Sequence, residues 1–296
     1  MTAPLASPNT PPAVLPRLTR AGAALTREVE VLDEYGARRV IHIPNERPLT
    51  LFVDKRELVT LMTLGAEPEL LALGYLRNQR LVERVEDVES ITADWEVGAV
   101  AVHTRAGIIE GFERKTAQRV VTTGCGQGTV FGNLMDSIAA VRLPDARSAR
   151  IRQSTLHGML EVMRQQDSIH RKAGSVHGCA LFRGTEMLMF VEDVGRHNAI
   201  DTIAGWMWMH GVAGADKSFY TTGRLTSEMV MKSAQIGVPI IVSRNGVTAM
   251  GHELASRLGM TLFGRAANRH FICYTGFERF DSEPEPQRAP VRVVSG

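Results

Sequence analysis

Between residues 26 and 104 apolar side chains recur at every second position, the period of a half-buried strand. Glu28-Val29-Glu30-Val31-Leu32 and Arg39-Val40-Ile41-His42-Ile43 alternate, and Leu49-Thr50-Leu51-Phe52-Val53 runs apolar into the polar Asp54-Lys55. Two further strand-like pieces lie at 91–95 and 98–103. A single interruption follows the helical period: Glu69-Leu70-Leu71-Ala72-Leu73-Gly74-Tyr75-Leu76, with Pro68 where a first helical turn tolerates proline. The pattern predicts a mostly β N-terminal subdomain over 26–123 with one helix.

Beyond the apolar, β-branched run Val120-Val121-Thr122-Thr123 the period changes. Residues 153–172 read as helix, and 179–182 with 187–191 read as strands around an Arg183-Gly184 turn. Helices at 195–210, 225–236 and 247–258 then alternate with strands at 218–221, 238–242 and 260–263. Repeated strand–helix–strand units predict an α/β unit over 124–280 with a largely parallel sheet. Residues 1–25 and 281–296 are rich in Pro and poor in large apolar side chains, the composition of disordered tails.

Composition narrows the class. At 296 residues and 44% hydrophobic content the chain can bury a large core. A net charge of +2 without a Lys/Arg block gives no electrostatic footprint for nucleic acid. No apolar run reaches membrane-spanning length, and residues 1–16 lack the basic and apolar regions of a secretory signal, so a cytoplasmic location is expected. Three cysteines, Cys125, Cys179 and Cys273, contain no CxxC pair, which argues against a disulfide framework or structural zinc.

In an open α/β sheet, ligands gather at the loops leaving the carboxyl ends of the strands. Glu192-Asp193-Val194-Gly195-Arg196-His197-Asn198 is such a segment, with His197 and Asp201 one helical turn apart and able to orient each other; an N-cap with an ion pair is the plainer reading. Thr222-Gly223-Arg224-Leu225-Thr226-Ser227 and Ser243-Arg244-Asn245-Gly246 repeat the layout, and helix N-termini with Arg224 nearby suit an anionic oxygen such as phosphate. Arg265-Ala266-Ala267-Asn268-Arg269-His270, placed after the last sheet strand, is either a nucleotide contact or a solvated basic loop. His177-Gly178-Cys179 lacks the Glu and the later dicysteine of a zinc deaminase, so no zinc is expected and Cys179 reads as buried. Cys273, in the alternating Phe271-Ile272-Cys273-Tyr274, reads as a core side chain. In Gly124-Cys125-Gly126-Gln127-Gly128 the thiol is either a displayed nucleophile or part of a tight turn.

The segments Glu46-Arg47-Pro48-Leu49-Thr50, Glu192-Asp193-Val194-Gly195-Arg196-His197-Asn198-Ala199-Ile200-Asp201, Gly223-Arg224, Glu228-Met229-Val230-Met231-Lys232-Ser233-Ala234 and Thr261-Leu262-Phe263-Gly264 resemble the FdhD family, the formate dehydrogenase accessory sulfurtransferases. The resemblance implies a cytoplasmic homodimer whose C-terminal part has a cytidine-deaminase-like α/β fold without zinc chemistry. It implies that Cys125 takes sulfur as a persulfide from a cysteine desulfurase. The sulfur then passes to the molybdenum or tungsten bis(molybdopterin guanine dinucleotide) cofactor, a substrate for which GDP or GMP is a mimic, destined for the formate dehydrogenase catalytic subunit. It places cofactor binding on Arg265 to His270, and the strand-end loops read above as an anion cleft add Asp193, Arg196, His197, Thr222, Gly223 and Arg224 to the expected binding residues. Two departures are visible: the family's glycine-rich, apolar approach to its last segment is altered to Arg265-Ala266-Ala267-Asn268-Arg269-His270, and where the family commonly shows Cys-Gly-x-Cys-Gly, here Gly128 stands at the second cysteine. Cys125 is then left to receive, hold and release sulfur alone. The alternatives are a cofactor-binding maturation chaperone without sulfur transfer and, in a different class, a zinc deaminase.

Overall fold

The computed structural model describes residues 14–105 and 141–283, and the Cys125 segment lies outside them. The chain starts with β1 (Arg17–Leu18), β2 (Thr26–Leu32), β3 (Arg38–Pro44), β4 (Arg47–Val53), β5 (Arg56–Thr63), α1 (Pro68–Asn78), β6 (Val88–Asp94) and β7 (Ala99–Thr104). The order β1-β6-β7-β4-β5 forms a five-stranded sheet, and β2 with β3 forms a separate ribbon. Leu49, Leu51 and Val53 alternate inward from β4 and meet Leu71, Leu73 and Leu76 of α1, which fixes the helix on one face.

Two features of this half differ from the sequence reading. β5 is hidden behind Asp54-Lys55, which is a two-residue hairpin turn: both residues have positive φ, the requirement of a type I′ connection. Residues 14–25, expected within a solvated tail, are anchored. Leu18 packs on the core, β1 pairs parallel with β6, and Glu69 accepts hydrogen bonds from Thr19 Oγ1 (2.5 Å) and Ala21 N (2.7 Å).

The second half comprises β8 (Ile151–Arg152), α2 (Gln153–Gln165), α3 (Ile169–Ala173), β9 (His177–Arg183), β10 (Glu186–Asp193), α4 (Arg196–Met209), β11 (Ser218–Thr221), α5 (Ser227–Gln235), β12 (Ile240–Ser243), α6 (Ala249–Leu258), β13 (Thr261–Ala267), β14 (His270–Thr275) and β15 (Phe280–Asp281). The six-stranded sheet runs β10-β9-β11-β12-β13-β14. It is mixed rather than largely parallel: β11, β12 and β13 are parallel, while hairpins at Gly184 and Asn268 make β10–β9 and β13–β14 antiparallel, and β9–β11 is antiparallel too. Asn268 takes a positive φ, so the segment read as a loop after the last strand is a hairpin turn leading into one more strand. The helix expected over 153–172 is broken at 166–168, where Ser168 caps α3 by accepting from Arg171 N.

Helices cover both faces of this sheet. Ala199, Ile203 and Met207 of α4, with Met229 and Val230 of α5 and Leu254 of α6, pack on Leu181, Phe219, Ile241 and Leu262. Leu156, Met159 and Leu160 of α2 meet Phe182, Val242 and Phe263 on the other side. Strands buried on both faces read as continuous apolar runs, as Ile240-Ile241-Val242 of β12 does; β11 is as fully buried, with Phe219 and Tyr220 at its centre.

The two halves join where α1 crosses α4. A Cβ on Gly74 would lie 1.6 Å from Asp201 O, and one on Gly205 would lie 2.1 Å from Leu70 O, so the helices touch backbone to backbone. Buried polar groups flank the crossing: Asp201 accepts from Asn78 Nδ2 (2.7 Å) and from Lys232 Nζ (2.7 Å).

Candidate functional site

The register of the sheet brings five chain segments to one edge. Thr221 pairs with Ser243 and Val242 with Phe263, so the loops after β11, β12 and β13 leave side by side. On the other side of β11, antiparallel β9 begins at this same edge with His177, opposite Asp193 at the end of β10. The loops are stitched together: Arg244 N donates to Thr221 O (3.0 Å), Asn245 Nδ2 to Thr222 O (2.8 Å), and Arg265 N to Asn245 O (2.9 Å). Gly264 permits the last approach, since a Cβ there would stand 2.9 Å from Asn245 O.

Above this edge lies a cleft with two lobes, of about 490 and 590 Å³, that share His170, Thr222 and Arg244. Phe190, Tyr220 and Met163 give the first lobe an apolar wall, Arg164 and Arg171 of α2 and α3 its charged rim, and His177 and Asn245 line the second. Glu192 is the carboxylate in the lining, and both its oxygens accept from the start of α3, from Ile169 N at 2.6 Å and His170 N at 2.9 Å. The remaining charged groups are cations, so the cleft suits an anion with an apolar portion. Burial lowers the His177 pKa, and Arg196, His170 and Arg224 lower it further. Its Nδ1 lies 3.4 Å from Thr222 Oγ1, and that hydroxyl accepts from Gly178 N at 3.1 Å.

The sequence-derived candidates divide into three groups. Thr222 lines both lobes, exposed Arg224 and Arg244 follow β11 and β12 at the same edge, and exposed Arg265 stands within the neighbouring β13. Ala266 is buried, while Ala267, Asn268, Arg269 and His270 form the β13–β14 turn and stand outside both lobes. Asp193, Arg196, His197 and Gly223 are buried beneath the edge.

Burial changes the reading of this last group. Asp193 accepts from Gly195 N (2.8 Å), Asn198 Nδ2 (2.9 Å), Leu64 N (3.0 Å) and the Thr63 hydroxyl. Its carboxylate thus occupies the N-terminus of α4, where the sequence pattern places a phosphate, and ties that helix to the end of β5. Burial still raises its pKa, against the lowering effect of those four bonds. At Gly223 the N–H donates to Thr221 Oγ1 (3.0 Å) and the neighbouring Leu225 N–H to Gly246 O (3.0 Å), so these donors are spent internally. A Cβ on Gly223 would sit 2.6 Å from Arg196 Cδ, which makes this glycine the bed on which the Arg196 stem lies. His197 turns to Glu228, with Nε2 3.4 Å from Oε2, while Asp201 bonds Asn78 and Lys232, so the expected pairing of His197 with Asp201 gives way to contacts with α5 and α1. Despite that carboxylate, burial, with Lys232 and Arg196 nearby, pulls the His197 pKa down to about 2.

The thiols at 179 and 273 are unsuited to nucleophilic work. Cys179 is wholly buried and donates to Thr221 Oγ1 at 3.2 Å, and burial pushes its pKa up to about 12. Cys273 is half-buried against the core and pushed up to about 11. Cys125 lies outside the described residues. His170 and Phe190 escape the sequence reading because neither carries a local motif; only the fold of α3 against β10 brings them to the cleft.

Comparisons with known proteins agree with this architecture. A formate dehydrogenase accessory protein from Desulfotalea psychrophila, so described, has a crystal structure that superposes with a TM-score of 0.70 at 24% identity, covering 86% of this chain and 98% of that one. Proteins named sulfur carrier protein FdhD are 29% identical in Listeria monocytogenes (80% of this chain, 90% of the relative) and 29% in Bacillus subtilis (79% and 88%). A third, from Halalkalibacterium halodurans, is 27% identical over 88% of this chain and 97% of its own length. The model of the FdhD/NarQ family matches residues 44–281, and the chain belongs to that family.

Proposed function

We propose that this protein carries sulfur for formate dehydrogenase maturation, with Cys125 as the carrier. The Cys125 thiolate attacks the sulfane sulfur of a cysteine desulfurase persulfide; the new S–S bond forms as the desulfurase thiolate leaves. The terminal sulfur then goes to the metal of the bis(molybdopterin guanine dinucleotide) substrate, molybdenum or tungsten, in the cytoplasm. The S–S bond breaks, Cys125 leaves as the thiolate, and the two electrons that make the sulfane sulfur a sulfido ligand come from the substrate's metal in its reduced, tetravalent state. What carries this reading is the state of the other two thiols. Cys179 is wholly buried and Cys273 half-buried, and burial raises both thiols well above the neutral range, whereas a sulfur carrier, the name its relatives bear, needs an accessible thiolate.

The cleft supports the substrate class. A guanine nucleotide end would set its base against Phe190 and Tyr220 and its phosphate near Arg244, which both lobes share. Arg265 adjoins through Asn245, and exposed Arg224 belongs to the loop after β11. The phosphates belong with these arginines rather than with the α4 N-terminus, which Asp193 fills. Buried Arg196 and His197 hold the floor, and the C-terminal unit is read as a cytidine-deaminase-like scaffold used without zinc.

Gly128 in place of a second cysteine favours one other reading, a cofactor-binding chaperone that has lost sulfur transfer. Complementation separates the two. In cells lacking their own carrier, Cys125→Ala is expected to abolish formate dehydrogenase activity while leaving guanine nucleotide binding intact. Full activity with Cys125→Ala would establish the chaperone.

A further inference from the structure

The second lobe of the cleft holds a titratable pair that binding through Arg244 leaves unused. Two imidazoles, His170 and His177, line it with Arg244, Thr222, Ser175 and Asn245. Among the described residues no carboxylate does. The two nearest in the strand register are committed elsewhere. Glu192, opposite Gly178, accepts from Ile169 N and His170 N, and Asp193, opposite His177, accepts from its four donors. The charged and titratable groups that act on His177 come from three other elements: Arg196 and His197 of α4, His170 of α3 and Arg224 of the loop after β11, with Arg244 in the same lining. Burial and these cations together disfavour an imidazolium.

One side of the half-buried ring is already engaged. Its Nδ1 lies 3.4 Å from Thr222 Oγ1, and that oxygen accepts from Gly178 N at 3.1 Å. The Thr222 hydroxyl hydrogen therefore has the Nδ1 lone pair as its acceptor, which places the ring hydrogen on Nε2 and leaves Nε2–H for a ligand. We infer that His177 is a proton-coupled ligand for the phosphate groups of the substrate, taking up one proton from solvent at Nδ1 as the anion settles beside Arg244. The new Nδ1–H donates to Thr222 Oγ1, and the hydroxyl hydrogen that it displaces turns to a phosphate oxygen. One proton thus adds a positive charge to the lobe and releases a second donor into it. Affinity for the anion then rises as pH falls through the pKa of the complexed ring, and levels off below that of the uncomplexed one. This role rests on the phosphate placed at Arg244 above, and it stands whether or not Cys125 carries sulfur.

Nuclear magnetic resonance of the full chain, with histidine rings labelled in nitrogen-15, reads tautomer and charge directly, and the His177 signals are those lost in His177→Gln. At pH 7 the wild type is expected to show a neutral ring with hydrogen on Nε2, and a ring protonated on both nitrogens once inorganic pyrophosphate or GDP saturates the protein. Glutamine keeps a donor near the Nε2 position without the charge. His177→Gln is therefore expected to bind pyrophosphate about tenfold more weakly than wild type near pH 6 and about equally near pH 9, by calorimetry. Since that variant could disturb β9, the wild-type spectra serve as the independent measurement. Pyrophosphate carries no base: its binding with proton uptake, while GDP fails to bind, would remove the guanine nucleotide and still support the role of His177. A ring that stays neutral with pyrophosphate bound overturns that role, and so does the failure of both anions to bind, or equal affinity of wild type and His177→Gln near pH 6.

Discussion

Replacing Gly74 by Ala tests the joint on which the candidate site rests. In an exposed helix interior this change stabilises by about 1 kcal/mol, because alanine is the better helix former. At the α1–α4 crossing the sign must reverse. The new methyl would lie 1.6 Å from Asp201 O, 2.6 Å from Asp201 C and 2.7 Å from Gly205 N. All three are backbone atoms of a helix fixed in the core, so no side chain can swing aside. Reaching ordinary contact at about 3.4 Å needs nearly 2 Å of helix separation, beyond what overpacked cores absorb for their usual 1–3 kcal/mol. That shift would also stretch the Asn78–Asp201 bond and open the seat of Leu70 and Leu73. The expected loss is at least about 3 kcal/mol, which for a domain of this size lowers Tm by roughly 6–12 °C. Urea unfolding followed by circular dichroism measures it, with Gly158→Ala as the control, since a Cβ there meets only the Thr185 side chain. A Gly74→Ala protein as stable as wild type would refute the backbone contact.

Other expectations follow from the site. Native His197 stays neutral far below the unfolded pKa of 6.5, so stability falls as pH drops through 6.5, by about 2 kcal/mol at pH 5; His197→Gln should flatten that slope in Tm measured against pH, and an unchanged slope would contradict the buried neutral imidazole. Asp193→Ala leaves four donors without their acceptor and is expected to cost at least about 3 kcal/mol in urea unfolding. Arg244→Gln is expected to weaken GDP binding about tenfold in calorimetry, with Arg269→Gln changing it little; the reverse order would move the nucleotide onto the β13–β14 turn.

Local signals carry much of the fold and less of the site. The Arg183-Gly184 turn, Pro68 at the head of α1 and the alternation of strands and helices after residue 195 are short-range features, and each corresponds to an observed element. β5 is lost to a sequence reading because Asp54-Lys55 makes a turn usually signalled by Asn-Gly. The sheet looks largely parallel in sequence because nothing short-range marks the second hairpin except the positive φ of Asn268. The Glu192–Asp201 segment is legible as special, yet its work is mostly fastening. Asp193 reaches the Thr63 hydroxyl 130 residues away, Asp201 reaches Asn78 across 123, and partners at such separations leave no periodic trace. The cleft likewise depends on α3 folding against β10, which brings His170 beside Arg244.

The most direct test of the central claim is to load the protein from a cysteine desulfurase and map the added sulfur by mass spectrometry under non-reducing conditions. The account predicts one extra sulfur on the peptide holding Cys125, lost in Cys125→Ala, and none on Cys179 or Cys273, whose thiols burial keeps protonated. Sulfur on either of those two, or undiminished loading of Cys125→Ala, would contradict it.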